Sequence, residues 1–185
     1  MCLMLLSLIL SFVPYSYFPF YDKFKNLFEQ NPVSLWEEDF SKVKQLLHDK
    51  KNEISDLKIY LDKNPDFVYE CIAKLKISNV NKVTLELLGV KSKKELIGHL
   101  YKNYNERSFD VFKEELMAIS LNQKEFSSET EFVRANGEII SALIKVVILD
   151  DKYTAIVSIV DITELNSVKE KIVKSEKRFR ELYEK

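Results

Sequence analysis

The chain has 185 residues, of which 28 are Lys or Arg and 29 are Asp or Glu, so its formal net charge at pH 7 is -1. This length fits one domain with appendages, and the balanced charge gives no basic surface with which to bind nucleic acid. The two cysteines, Cys2 and Cys71, lie far apart in the sequence. They favour a reduced cytoplasmic protein over a disulfide-bonded secreted one.

The first 21 residues carry no charged side chain. As one helix, residues 1–21 would rise roughly 30 Å, about the thickness of a bilayer core. Aromatic side chains followed by Lys23 and Lys25 are typical of the cytoplasmic membrane interface. We therefore expect a membrane anchor or its remnant at the inner face of the cell membrane. Pro14 and Pro19 interrupt the helix, and a cleaved signal peptide is the weaker alternative because no basic residue precedes the apolar run.

The first half of the chain predicts helices around two short strands. An amphipathic entry helix is predicted over residues 22–32, and "VSLWEEDF" predicts the first strand. Three helical patches follow over residues 41–76, and Asn64 with Pro65 marks the start of the third. "ISNVN" predicts the second strand, and "KVTLELL" predicts a short helix that Gly89 ends.

The second half predicts two more helices and a three-stranded meander. Ser92 and Glu95 form a capping box for a helical turn that Gly98 ends, and Ser108 is predicted to cap a longer helix. "FSSETEFVRA" and "EIISALIKVVIL" flank Asn136-Gly137, which predicts a hairpin because both turn residues tolerate positive φ. "YTAIVSIV" predicts a fifth strand. The order of elements indicates an α+β fold with a five-stranded antiparallel sheet.

Three segments resemble the PAS domain: "ISNVNKVTLELLGVKSKKELIG", "ETEFVRANGEIISALIKVVIL" and "AIVSIVDITE". In that family an Asn follows the second strand, a Gly ends the next helix, and the last strand ends in Asp-Ile-Thr. The resemblance spans residues 24–164 and implies a PAS domain over residues 33–164, with helices on one face of the sheet. Residues 41–76 resemble the helical insertion of a subgroup found in bacterial and archaeal multidomain sensors.

The closing motif leads directly into a helical pattern, with no Gly or Pro between them. In the PAS family the last strand continues into a signalling helix, so the resemblance implies that Asp161, Ile162 and Thr163 form the signal junction. Over residues 165–185, apolar spacings of three and four predict a coiled-coil seam, and hence a homodimer leading to a downstream signalling domain. The seam consists of Leu165, Val168, Ile172, Ser175, Phe179 and Leu182.

The resemblance implies a sensory module that binds or relays and has no catalytic residue. The three glycines form no phosphate-binding loop, so kinase or cyclase activity would belong to a larger parent protein. Two alternatives stay open: a ligand-independent dimerisation scaffold, and a fragment of a histidine kinase or cyclase.

No metal-ligand spacing occurs, and neither haem nor flavin is expected. His48 lacks the context of a phosphoacceptor, the predicted long helix has no histidine, and Cys71 lies in the insertion. The remaining hypothesis is a small apolar ligand in the core, against the alternative that these side chains only pack. The predicted ligand contacts are Trp36, Asn81, Leu88, Phe112, Leu116, Phe132, Ser141 and Ile144.

Overall fold

A computed structural model describes residues 17–50, 53–100 and 105–183, together with their side chains from residue 22 onward. Its centre is a five-stranded antiparallel sheet with strand order β2-β1-β5-β4-β3. The five strands are β1 (Ser34–Asp39), β2 (Lys76–Val80), β3 (Glu125–Val133), β4 (Ile139–Ile148) and β5 (Thr154–Asp161). The predicted sheet and the α+β class are confirmed.

Eight helices occur in the described part of the chain, and three of them separate β1 from β2. These three confirm the predicted insertion. The helices are α1 (Tyr17–Glu29), α2 (Ser41–Lys50), α3 (Leu57–Lys63), α4 (Pro65–Lys74), α5 (Lys82–Leu88), α6 (Lys93–Leu100), α7 (Glu106–Ser120) and α8 (Thr163–Tyr183).

Strand alternation decides which face of the sheet is buried. On β4, Ile140, Ala142, Ile144 and Val146 are buried, whereas Leu143 and the other intervening residues are mostly exposed. The buried face packs against helices, and the insertion contributes to the same core through buried side chains of α2, α3 and α4. The insertion is therefore an integral part of the domain core rather than a separate unit.

Two residues that were predicted to start or end a helix have other roles in the structure. The N-cap of α7 is Asn105, and Ser108 completes a capping box in which each side chain accepts from the other residue's backbone N–H. Ser108 was predicted as the cap because its type fits both positions. Gly98 lies inside α6, where its φ is not positive, so it does not end that helix. Gly89, in contrast, ends α5 with a φ of 70°.

The hairpin between β3 and β4 forms at the predicted position but with a different turn. Only Gly137 has a positive φ, of 86°, and its N–H donates to the Arg134 carbonyl over 2.9 Å. Arg134 N–H donates in turn to the Glu138 carbonyl over 2.8 Å. Asn136 keeps a negative φ because a single left-handed residue is enough to close this turn.

No helix in the described part of the chain has both the length and the apolar character needed to cross a bilayer. The predicted anchor falls mainly on residues 1–16, which lie outside the described residues. The described entry helix, α1, ends at Glu29, three residues before Pro32. Of its apolar side chains, Phe28 is buried, whereas Phe24 and Leu27 are exposed.

Candidate functional site

A small cavity lies between the buried face of the sheet and helix α7. Its volume is about 50 Å³, which is room for roughly four water-sized groups. Most of its described walls are aliphatic or aromatic, and their polar side-chain groups are two carboxyls, two hydroxyls and one indole N–H. The lining residues are Trp36, Glu38, Leu75, Ile77, Ile97, Leu100, Ser108, Val111, Phe112, Glu115, Thr130, Phe132 and Ile144.

Trp36 and Glu38 reach the cavity because they are two residues apart on β1 and share its buried face. The Trp36 indole Nε1–H donates to Glu38 Oε1 over 2.6 Å. The Trp36 ring meets Phe132 of β3 edge to face, with 6.2 Å between the ring centroids. These contacts fix the position of the Glu38 carboxyl against an aromatic wall.

Glu115 brings a second carboxyl to the cavity from α7. It follows Val111 and Phe112 by one helical turn, so the three residues share one face of the helix. Glu38 is 5% exposed and Glu115 is 6% exposed. Two carboxyls that are this deeply buried are rare in a small domain core.

Burial determines the protonation of both acids. Burial raises the pKa of Glu38 to about 7, against a smaller opposing effect of the Trp36 hydrogen bond. Burial also raises the pKa of Glu115 well above its ordinary value, and the neighbouring Glu38 carboxylate raises it further. A low-polarity site disfavours the charged form of an acid, and two nearby negative charges disfavour each other. The cavity therefore holds its acidic protons to a higher pH than exposed carboxyls do.

Four of the eight predicted ligand contacts line this cavity: Trp36, Phe112, Phe132 and Ile144. The predicted contacts omitted Glu38 and Glu115. The sequence contained a pattern that could have identified both acids, because Glu38 is two residues from Trp36 on the same strand and Glu115 is three residues after Phe112 on the same helix. Charged residues are rarely buried, however, and that general rule predicts that both side chains face the solvent.

The other four predicted contacts lie elsewhere. Leu88 and Leu116 are fully buried core residues that do not line the cavity. Asn81 is also buried, but it caps α5: its Oδ1 accepts from Thr84 N–H, and its Nδ2 donates to the Val33 carbonyl over 2.8 Å. Ser141 points to the outer face of β4, since it alternates with the buried Ile140 and Ala142.

Ser141 instead takes part in the junction between β5 and α8. Its N–H donates to Thr163 Oγ1 over 3.0 Å, and its carbonyl accepts from Ile162 N–H over 2.8 Å. Asp161 Oδ1 accepts from Thr163 N–H over 2.9 Å. Only Ile162 separates β5 from α8. Because Ser141 of β4 bonds to both Ile162 and Thr163, strand β4 fixes the position at which α8 begins.

An ion pair connects this junction to the β3–β4 hairpin. Arg134 donates to Asp161 Oδ2 and to Glu138 Oε2, each over 2.9 Å. The Asp161 pKa is lowered overall: burial opposes the shift, but hydrogen bonds from Thr163 and the charge of Arg134 outweigh it. Asp161 is thus held as a carboxylate that contacts both the hairpin and the first turn of α8.

The comparisons with known proteins identify the fold. Neither a protein-family model nor a curated protein matches the sequence. Among solved structures, the PAS domain of an HTR-like protein from Haloarcula marismortui matches with a TM-score of 0.51 at 13% identity, over 80% of this chain and 95% of that one. A PAS domain from Colwellia psychrerythraea matches with a TM-score of 0.51 at 15% identity, over 78% and 98%. The chain has a PAS fold.

A LOV protein from Rhodobacter sphaeroides also has a similar fold, with a TM-score of 0.51 at 13% identity, over 77% of this chain and 67% of that one. In this PAS fold the cavity lies between the sheet and α7, and α8 leaves the end of β5. The predicted PAS-type sheet with a helical insertion is therefore present. At these identities the likeness establishes the fold and nothing about a bound ligand.

Helix α8 has no buried residue, so its apolar side chains are open to solvent in the single chain. The predicted seam residues Leu165, Val168 and Ile172 are 51%, 45% and 54% exposed. Further along, Phe179 and Leu182 are also exposed. The helix is not folded back as part of the PAS core, which leaves the seam available for a partner helix.

The remaining candidate residues lie away from the acidic cavity. Cys71 is buried in α4, where burial raises the pKa of its thiol to about 12. His99 of α6 contacts the Val133 backbone carbonyl of β3 through Nε2. His48 is an exposed residue of α2. Within the described ranges, no three His, Cys, Asp or Glu side chains are grouped so that they could hold a metal ion.

Proposed function

We propose that this PAS module is a sensor in signal transduction, which detects a small ligand in its cavity and passes the change to α8. The supporting observation is that β4 serves both sites. Ile144 lines the cavity from one face of β4, while Ser141 binds the start of α8 from the other. The two residues are three positions apart on the strand, a distance of about 10 Å.

The proposed output is a change in how α8 leaves the sheet. Asp161, Thr163 and Arg134 form a compact polar network whose bonds depend on the relative position of β4, β5 and the hairpin. A small shift in β4 would favour one of two arrangements of the helix. A free-energy difference of about 1–3 kcal/mol between the two arrangements is enough for such a switch.

We propose that α8 acts in a homodimer. Its exposed apolar side chains repeat at the spacing of a two-stranded coiled coil, and pairing would remove them from water. The helix would then pass its orientation to a signalling domain. In this proposal the module itself catalyses no reaction.

A chimera with a reporter histidine kinase fused after α8 tests the relay. Ile144→Phe adds volume inside the cavity and so replaces an unidentified stimulus, while Val147→Phe on the exposed face of the same strand is the matched control. We expect Ile144→Phe to shift kinase output and Val147→Phe to leave it near the parent level. Urea unfolding checks that each variant is folded, because overpacking costs about 1–3 kcal/mol.

Asp161→Ala in the same chimera separates the relay from the sensor. It removes the acceptor for Thr163 N–H and the partner of Arg134, and we expect the Ile144→Phe shift to disappear in the double variant. Asp150→Ala, in the exposed turn after β4, is the control. An unchanged Ile144→Phe response in the Asp161→Ala background would contradict the proposed relay.

The size of the cavity favours one alternative, a ligand-independent dimerisation scaffold. Sites for drug-sized ligands have volumes of about 300–1,000 Å³, and this cavity has about 50 Å³. A scaffold would keep the α8 dimer but would show no output change with Ile144→Phe. The chimera experiment therefore distinguishes the two functions.

We also propose that residues 1–21 contact the inner face of the cell membrane and so hold the module in the cytoplasm beside it. The support is the uncharged sequence followed by Lys23 and Lys25. Cell fractionation of the chain with and without these residues tests the proposal. Equal recovery of both forms in the soluble fraction would contradict it.

A further inference from the structure

The cavity is acidic in a way that an apolar ligand would not require. Glu38 reaches it from β1 and Glu115 from α7, while no Lys, Arg or His is among the described residues that line it. No cation contributes to the pKa of either acid among the described residues. Of the cations of α7, Lys113 is paired with Asp62 and Asp110, and Arg107 donates to the Glu129 carbonyl. Among the described residues, the two carboxyls therefore share the cavity without a compensating positive charge.

The two carboxyls differ in their hydrogen bonding. Glu38 accepts from the Trp36 indole, but no described residue donates a hydrogen bond to the Glu115 carboxyl. Glu115 is nonetheless 6% exposed and lines the cavity. A carboxyl that lines a cavity can accept a hydrogen bond from a group that enters it. The geometry thus contains an acceptor suited to a donor that enters the cavity.

The walls restrict the size and shape of that donor. Three aromatic rings, Trp36, Phe112 and Phe132, line the cavity, and aromatic faces attract cations. The volume of about 50 Å³ accommodates only a few non-hydrogen atoms. The aliphatic side chains of Ile77, Ile97 and Ile144 complete the apolar part. A fitting ligand is therefore small, positively charged at one end and apolar at the other.

We propose that the cavity binds a small primary alkylammonium ion, with the ammonium group at Glu38 and Glu115 and the alkyl group against the aromatic and aliphatic walls. This inference rests on the proposed function and names the class of ligand that would be sensed. An ammonium group supplies three donors and one positive charge, which satisfies the Glu115 acceptor and compensates the acidic pair.

Binding releases a proton from the protein. Burial makes the pair hold its acidic protons to a raised pH, and the ammonium ion replaces one such proton as the compensating positive charge. In this reaction one RNH3⁺ ion binds to the pair, and the pair loses one proton to the solvent as H⁺. The charge is balanced because one positive charge enters the site and one leaves it. Affinity is therefore expected to increase as the pH rises from about 6 to about 8.

Intrinsic fluorescence can follow binding, because Trp36 is the only tryptophan in the chain and its indole contacts Glu38. Ethylammonium chloride is titrated into the full chain at constant ionic strength. A ligand with three non-hydrogen atoms is limited to a Kd of about 1 mM, so the titration extends to about 20 mM. We expect a saturable change with ethylammonium and none with ethanol, sodium acetate or sodium chloride.

Matched variants locate the site. Glu115→Gln and Glu38→Gln each remove one charge with little change of shape, and we expect at least a tenfold weaker affinity for ethylammonium in both. Glu131→Gln, which removes a carboxyl bonded to Asn105 outside the cavity, should bind like the parent chain. Using both buried variants keeps the test valid if one of them does not fold.

Calorimetry in two buffers of different ionisation enthalpy measures the released proton. A measurable release of protons, of up to one per bound ion at about pH 7, supports the inference. Absence of saturable binding at about pH 8, equal binding of ethanol, or unchanged affinity in both Gln variants would overturn it. The Ile144→Phe chimera does not depend on any ligand, so a failure of ethylammonium binding leaves the proposed relay separately testable.

Discussion

Replacing Glu38 with Gln should stabilise the protein at alkaline pH. The change keeps the shape of the side chain and an oxygen that can accept from the Trp36 indole. It removes a carboxyl that burial makes costly to ionise. Most core substitutions destabilise a protein, so a gain of stability here would be specific evidence for a buried acid.

The magnitude follows from the pKa of Glu38. Its pKa is raised from 4.5 to about 7 in the folded chain. One pKa unit corresponds to about 1.4 kcal/mol, so ionising this carboxyl in the folded protein costs about 3 kcal/mol more than in the unfolded chain. The pKa of Glu115 is raised in the same direction and adds to this dependence.

The sign of the pH dependence follows from proton binding. Between pH 4.5 and about 7, the folded protein holds a proton on Glu38 that the unfolded chain has released. The free energy of unfolding therefore decreases as the pH rises through this window, and the contribution is fully present only below pH 4.5. The lowered pKa values of Asp39 and Asp161 act in the opposite direction, but at pH values below 3.8.

Urea unfolding at about pH 5 and about pH 8 measures this effect. We expect the parent chain to lose about 3 kcal/mol or more between the two, and Glu38→Gln to lose distinctly less. Glu37→Gln, on the opposite face of β1, is the control and should follow the parent chain. If Glu38→Gln and the parent chain lose stability in parallel, the assignment of a buried, protonated Glu38 is wrong.

Two further predictions concern the helix seam and the buried Asn81. The double variant Val168→Asp with Ile172→Asp should abolish the proposed dimer in sedimentation velocity, because it places charges at the apolar seam. The control, Ser167→Asp with Val173→Asp outside the seam, should leave the dimer intact. An unchanged sedimentation coefficient of the seam variant would contradict the predicted seam. Asn81→Ala should lower the free energy of unfolding by about 2–4 kcal/mol, since its Oδ1 accepts from Leu35 N–H and Thr84 N–H over 3.0 Å each. Asn64→Ala, which loses one side-chain bond to the Tyr60 carbonyl, should cost less than about 1 kcal/mol in the same urea experiment; similar losses for both would refute the special role of Asn81.

Local chemistry in the sequence was enough to predict much of the architecture. The alternation on either side of Asn136-Gly137 predicted the β3–β4 hairpin, and Gly89 correctly marked the end of α5. The change from alternating to helical spacing at Asp161-Ile162-Thr163 placed the start of α8. These signals depend on neighbours in the chain, so one sequence is enough to interpret them.

Helix termini were predicted less well, because several residues can satisfy the same local rule. Asn105 and Ser108 are both good N-cap residues, and the structure uses Asn105 as the cap and Ser108 as its partner in the capping box. At Gly98 no left-handed residue is needed, so the helix continues through it. A short sequence pattern contains the available caps but does not rank them.

By itself, the sequence determined the order of the elements and the apolar repeat of the last helix, because both follow from side-chain periodicity. Only the tertiary structure decided which residues meet. Glu38 and Glu115 are 77 positions apart by their numbers, and the tertiary structure brings them together because β1 and α7 both contribute walls to one cavity. A buried carboxyl opposes the hydrophobic pattern that predicts the fold, so the packing of the whole core is needed to find it.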